Sequence, residues 1–273
     1  MLAGSSRLFM QADTLMPTCL VFSGHDPIGG AGIQADIEAL GSMRVHAATL
    51  VTALTAQDSF NVYSVEPVST TLLIQQARTL LSDIRPAVIK IGLVPDVMTA
   101  EAIHTILTDL PGIPVVLDPI VRAGGGKSLQ DRQTCEAMRS LLFPLATVIT
   151  PNEHEARTFA GNADSLEACA MSLLESGCNY VLITGGDSNE EQVTNRLYGN
   201  NRCLETFNWP RLLKQYHGSG CTLASAIAGL LSHGHEPLTA VREAQQYTWN
   251  CLNHAYPTGA GQLHPDRFFW TCK

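Results

Sequence analysis

The segment Cys19-Leu-Val-Phe-Ser-Gly-His-Asp-Pro-Ile-Gly-Gly-Ala-Gly-Ile-Gln-Ala-Asp36 runs from a short apolar stretch through a glycine-rich loop into residues at helical spacing. A short apolar run bounded by turn residues reads as a strand buried on both faces, and Ile33, Ile37 and Leu40 mark one side of a following helix. The same alternation recurs along the chain. Apolar, β-branched runs at 47–51, 87–91, 115–117, 146–149 and 180–183 are each bounded by Gly, Pro, Asp or Asn. Between them lie helical patterns such as Leu72, Ala77, Leu80 and Leu81. This β-α repetition predicts an α/β chain of three layers, α/β/α, with a mostly parallel central sheet. Residues 195–198 and 203–207, on either side of Gly199-Asn-Asn201, read as a hairpin. From Ser219 to about Ala255 the pattern is helical, broken at Gly234-His-Glu-Pro237. Residues 1–17 are expected to be a flexible leader, and 18–273 a single domain.

Composition narrows the functions open to such a chain. The 273 residues are 45% hydrophobic and 15% charged, with a formal net charge of -8 and no Lys/Arg cluster. That balance offers no footprint for nucleic acid or an anionic membrane surface. No uninterrupted apolar run approaches a membrane span. Eight cysteines are scattered without a CxxC pair, so a reducing cytoplasm is expected.

In an open parallel sheet, ligands sit where loops leave the carboxyl ends of the strands. Those loops are unusually rich in chemistry here. Residues 24–29 have the spacing of a Walker A loop, but Gly30-Ala31 follows where Lys-Ser/Thr is required. Gly30-Ala-Gly-Ile-Gln-Ala35 fits a loose dinucleotide fingerprint, yet no Asp or Glu is expected to close a second strand about twenty residues on and take a ribose hydroxyl, so an NAD-dependent oxidoreductase is a poor fit. Asp36 and Gln57 fit a small-ligand pocket better than a core. Asn152 and Glu155 stand three residues apart where a strand gives way to a helix; they suit hydrated Mg²⁺ beside phosphates, or simply an acidic helix start. Asp118 is either a strand terminator or a second acidic group for the metal. Gly218-Ser219-Gly220 opens directly into an apolar helix, which leaves unpaired N–H groups as an anion hole and places Cys221 at the positive end, where a thiolate is favoured.

Taken in order, residues 19–36, Val51-Thr-Ala-Leu-Thr-Ala-Gln57, Lys90-Ile-Gly92, Val116-Leu-Asp-Pro119, Val148-Ile-Thr-Pro-Asn-Glu-His-Glu155 and His217-Gly-Ser-Gly-Cys-Thr-Leu223 resemble the hydroxymethylpyrimidine/phosphomethylpyrimidine kinases of thiamine biosynthesis, in the ribokinase-like superfamily. The resemblance covers about 18–255. It implies ATP and Mg²⁺ as cosubstrates and phosphorylation of 4-amino-5-hydroxymethyl-2-methylpyrimidine, then of its monophosphate, by a cytoplasmic homodimer. It places Gln57, Asp36 and Gly24 against the pyrimidine with Leu93 on the pocket wall. Asn152, Thr184 and Gly186 fall near the nucleotide, Asp118 and Glu155 near the metal, and Gly218, Ser219, Gly220 and Cys221 at the reacting centre. Cys221 stands where sugar kinases of the superfamily carry an aspartate base; a fixed carboxylate would repel the ionised monophosphate of the second step, whereas a thiol can be neutral.

Three departures accompany the resemblance. Thr184-Gly-Gly-Asp187 replaces the family's Lys-Gly-Gly-His, so the lysine expected near the ATP phosphates is absent and Lys214 or Mg²⁺ would have to serve. Leu93 replaces the usual Met. Around residues 121–127 glycines are more numerous and the charge is placed differently. The alternatives are a pyridoxal-type kinase and a non-catalytic pyrimidine- or nucleotide-binding homologue.

Overall fold

The computed structural model describes residues 16–161, 163–186 and 191–271; the expected leader falls largely outside them. In chain order the elements are β1 (Thr18–His25), α1 (Gly32–Ser42), β2 (His46–Gln57), β3 (Val62–Pro67), α2 (Thr70–Leu81), β4 (Val88–Ile91), α3 (Val97–Thr108), β5 (Val115–Leu117), α4 (Arg132–Ala137), β6 (Val148–Ile149), α5 (Glu153–Ala160), α6 (Leu166–Glu175), β7 (Tyr180–Ile183), β8 (Gln192–Gly199), β9 (Arg202–Pro210), α7 (Ser219–Ser232) and α8 (Pro237–Asn253). The strands form one sheet in the order β3-β2-β1-β4-β5-β6-β7-β8-β9. β2, β1, β4, β5, β6 and β7 are parallel, while β3, β8 and β9 are antiparallel additions at the two edges.

Side-chain alternation along each strand separates the two faces. Leu20 and Phe22 of β1 point into one core with Ile89, Ile91, Leu117, Ile149 and residues of α2, α3, α5 and α6. Cys19 and Val21 point into the other with Val88, Val116, Val148, Leu182 and residues of α1, α7 and α8. Both faces are therefore covered, which makes three layers. The hairpin around Gly199-Asn-Asn201 forms as expected, with Asn200 and Asn201 both at positive φ. The β3 strand has no counterpart in the apolar pattern. Only Val62 is buried, while Tyr63, Ser64, Glu66 and Pro67 face solvent, so no buried run announces it. Ile37 and Leu72, placed on core faces by periodicity, are likewise exposed.

Chain order reverses beside β1, because β2 lies on one side of it and β4 on the other. Such a switch point opens a crevice at the strands' carboxyl ends.

Candidate active site

The crevice is a cavity of about 500 Å³ along the carboxyl edge of the sheet, within the usual range for small-ligand sites. Two glycine turns meet at its centre. Gly218 caps α7 at φ 82°, in the left-handed region, without a side-chain cap. A Cβ there would lie 2.0 Å from the Gly30 carbonyl oxygen, so only glycine lets the two loops touch. Ala31 precedes α1 and also provides no side-chain cap. Asp26 takes up the Ala31 N–H and Cys221 the Gly32 N–H, so the later first-turn N–H groups of α1 and those opening α7 are the ones without a side-chain cap, and both helix dipoles favour an anion.

A buried pair holds the two turns in register. Asp26 Oδ2 accepts the Ala31 N–H at 2.8 Å and lies 2.9 Å from His217 Nε2, while its Oδ1 accepts the Ile28 N–H at 3.0 Å. Burial pushes the Asp26 carboxyl up, but the His217 hydrogen bond and these amides outweigh it and hold the group below its ordinary value. Behind them the nearly unexposed Arg267 donates to Thr222 Oγ1 at 3.0 Å and to Glu38 Oε2 at 2.9 Å, and also reaches the Gly30 carbonyl.

Cys221 occupies the first turn of α7, buried at 6% exposure, and accepts a hydrogen bond from the Gly32 N–H that opens α1. The expectation of a favoured thiolate is corrected here. Burial pushes the thiol up to about 12, more than Lys90 and the Gly32 amide pull it down, with Asp118 and Asp36 adding to the rise. Cys221 is thereby held as the neutral thiol. Beside it, burial pushes the Asp118 carboxyl up to about 6 against the pull of Lys90; Thr150 Oγ1 donates to Asp118 Oδ1 at 3.3 Å.

Asp36 does not face the cavity, which corrects its expected place against the pyrimidine. It is fully buried in α1, with Oδ1 2.9 Å from Lys90 Nζ and accepting from Ser225 Oγ at 2.7 Å. Lys90 is itself fully buried; burial would push its ammonium down, but the carboxylate of Asp36, with Asp118 beyond it, holds it above the ordinary lysine range. The sequence contains this lysine in Lys90-Ile-Gly92 but gives no sign of its partner, because the pairing joins β4 to α1 across the sheet. Gln57, Gly24 and Leu93 do line the cavity. Gln57 Nε2 donates to Thr55 Oγ1 at 2.8 Å, and Gly24 approaches Leu93 so closely that a Cβ would lie 2.9 Å from its Cδ2.

On the opposite wall Asn152 caps α5, accepting the Glu155 N–H at 2.8 Å, and Glu155 Oε2 accepts the Asn152 N–H at 2.9 Å in return. Glu155 Oε1 also accepts the Val121 N–H at 3.2 Å. The Asn-x-x-Glu spacing is therefore a capping box, and its residues line the cavity as well. Thr184 and Gly186 line it too, with Arg122, Arg211 and Lys214 as its Lys/Arg side chains. Among the described residues no group of three His, Cys, Asp or Glu could hold a metal ion unaided.

A model of the family described as phosphomethylpyrimidine kinase matches residues 26–266. The chain belongs to this family. It is 31% identical to a hydroxymethylpyrimidine/phosphomethylpyrimidine kinase of Staphylococcus aureus, over 93% of this chain and 94% of that one. It is 32% identical to a kinase of the same description from Synechococcus elongatus, over 90% and 95%. It also spans about half the length of the chloroplastic thiamine biosynthetic bifunctional enzyme of Arabidopsis thaliana, at 32% identity over 93% of this chain. Among solved structures, an ADP complex of Bacillus subtilis pyridoxal kinase aligns with a TM-score of 0.87 at 28% identity, covering 95% of this chain and all of that one. A phosphomethylpyrimidine kinase of Clostridium difficile aligns with a TM-score of 0.75 at 30% identity, covering 87% and 100%. The three-layer fold is thus the ribokinase-like one, and the chain is a phosphotransferase of a kinase family.

Proposed function

We propose that the protein transfers a phosphoryl group from ATP to the hydroxymethyl group of 4-amino-5-hydroxymethyl-2-methylpyrimidine, and then to the resulting monophosphate. The observation that carries this reading is the meeting of the N-termini of α1 and α7, neither closed by its own N-cap side chain, beside the buried thiol of Cys221. Phosphoryl transfer asks mainly for positioning and for stabilisation of the oxygens on the moving group, which converging N–H donors supply. The second acceptor is already ionised and needs no base. A carboxylate at position 221 would repel it, by about 4 kcal/mol for unit charges at about 4 Å in a surroundings of effective dielectric about 20.

Gln57, Gly24 and Leu93 form the wall suited to a flat heteroaromatic ring. The donor set fits Mg²⁺ held with the nucleotide: Mg²⁺ keeps most of its waters and takes one or two carboxylate oxygens plus phosphates, and Asp118, with Glu155 beside it, would supply the carboxylate side of such a site. When bound, the ion neutralises charge developing on the phosphoryl oxygens. Lys90 keeps positive charge beneath this floor, and the Asp26–His217 pair keeps the two N-termini aimed at one point. The reading extends to a homodimer working in the cytoplasm, which sedimentation and cell fractionation test.

ADP release with ATP and Mg²⁺ compares hydroxymethylpyrimidine, its monophosphate and pyridoxal at equal concentration. Turnover of both pyrimidines is expected. Turnover of pyridoxal alone would move the activity to the pyridoxal kinases that the fold also resembles, and ATP binding without any turnover would leave a binding protein.

A further inference from the structure

The wall of the cavity that holds Thr184 and Gly186 carries an arginine on a braced mount. Arg211 follows Pro210, the last residue of β9, and its Nη1 donates to the Gly186 carbonyl at 3.1 Å. Its backbone N–H donates to the Glu191 carbonyl at 3.1 Å. The residues just before it are pinned to α8. The Trp209 and Trp249 rings stack at 6.5 Å, and Trp249 Nε1 donates to the Pro210 carbonyl at 3.1 Å.

A chain of hydrogen bonds ties this strand end to the loop after β7. The Gly185 N–H donates to Asn195 Oδ1 at 2.9 Å, and Asn195 Nδ2 donates to Gln245 Oε1 at 2.8 Å. Trp209 Nε1 donates to the same Gln245 oxygen at 3.2 Å. Every residue in this chain lines the cavity. Loop and arginine therefore keep a set spacing, and little side-chain freedom remains to be lost when an anion binds.

Charge balance says what such a group is for. Asp26, Asp118 and Glu155 line the same cavity, so a polyphosphate needs compensating cations there. Position 184, on this loop, is a threonine. Lys214 and Arg122 also reach the lining, but both are exposed, whereas Arg211 is half-buried and held at Gly186. A guanidinium can keep one N–H on a carbonyl and present others to phosphate oxygens.

We propose that Arg211 binds the polyphosphate of the nucleotide, supplying from the end of β9 the positive charge that Thr184 does not carry. This rests on the kinase reading above, and the test separates the two. Equilibrium binding of ATP and of adenosine is measured by the fluorescence of the tryptophans beside Arg211, for the wild type, Arg211→Ala, Arg211→Lys and the double variant Arg211→Ala/Thr184→Lys. Arg211→Ala is expected to weaken ATP about tenfold or more, the usual scale for a charge-assisted hydrogen bond, while adenosine affinity is unchanged. The salt dependence of ATP binding should become shallower. Arg211→Lys should recover part of the loss, and Thr184→Lys should restore ATP affinity in the Arg211→Ala background.

Equal weakening of ATP and adenosine would overturn the proposal, because it would mean that Arg211 only shapes the loop through Gly186. Unchanged ATP affinity in Arg211→Ala would overturn it too, while leaving the kinase reading standing. A wild-type protein that binds no ATP would overturn both.

Discussion

At the scale of single residues, burial decides the chemistry of the centre. Cys221 sits where two helix N-termini favour a thiolate, yet the cost of charging a group out of contact with water is larger, and its thiol is pushed up to about 12. Alkylation by iodoacetamide at pH 8, followed by peptide mapping, should therefore modify exposed Cys203 well before Cys221. Cys221→Asp should lower kcat/KM for the monophosphate tenfold or more relative to the alcohol; equal effects on both substrates would show that charge repulsion is not what the cysteine avoids. Lys90 and Asp36 form the other buried charge pair. Lys90→Met leaves Asp36 charged and unpaired, at a cost of about 3–5 kcal/mol in denaturant unfolding. The double variant Lys90→Met/Asp36→Asn should recover much of that loss, because the unpaired charge is gone.

At the scale of elements, the site depends on how α1 and α7 begin. Gly218 combines a left-handed backbone with contact against Gly30, so Gly218→Ala meets a φ cost of about 1–3 kcal/mol as well as a collision with a carbonyl. It should lower thermal stability and abolish turnover together. The Asp26–His217 bridge between the same turns has a pH signature. Asp26 titrates below its ordinary value in the folded state. Its charge therefore stabilises the fold at pH values above the unfolded carboxylate's pKa of about 3.9, and that stability is lost as the pH falls through the folded value. The gap in melting temperature between wild type and Asp26→Asn should be full near pH 6 and should narrow as the pH falls below the unfolded carboxylate's value. The opening of α5 was legible from spacing alone, since Asn152 and Glu155 stand at capping-box distance. Which role they take was not, because a cap and a ligand need the same two residues.

At the scale of the molecule, the last turns of the chain reach back to its beginning. Arg267, 1% exposed, joins Gly30, Glu38 and Thr222 and so braces both helices of the anion site from behind. Arg267→Leu should destabilise the fold and raise KM for phosphate-bearing substrates, as read by calorimetry and steady-state kinetics. Strand and helix alternation, the order of the glycine loops and the family motifs are local in the chain, so the sequence alone determined the three-layer class and placed every expected site residue but Asp36 in the cavity wall. Pairings across the sheet carry no such local pattern. That Asp36 lies under the floor with Lys90, that Cys221 is uncharged, and that the arginine just after β9 stands beside the loop of Thr184 were decided only by tertiary packing. The physical reason is that burial and distance set charge states and partners, and both are properties of the assembled layers.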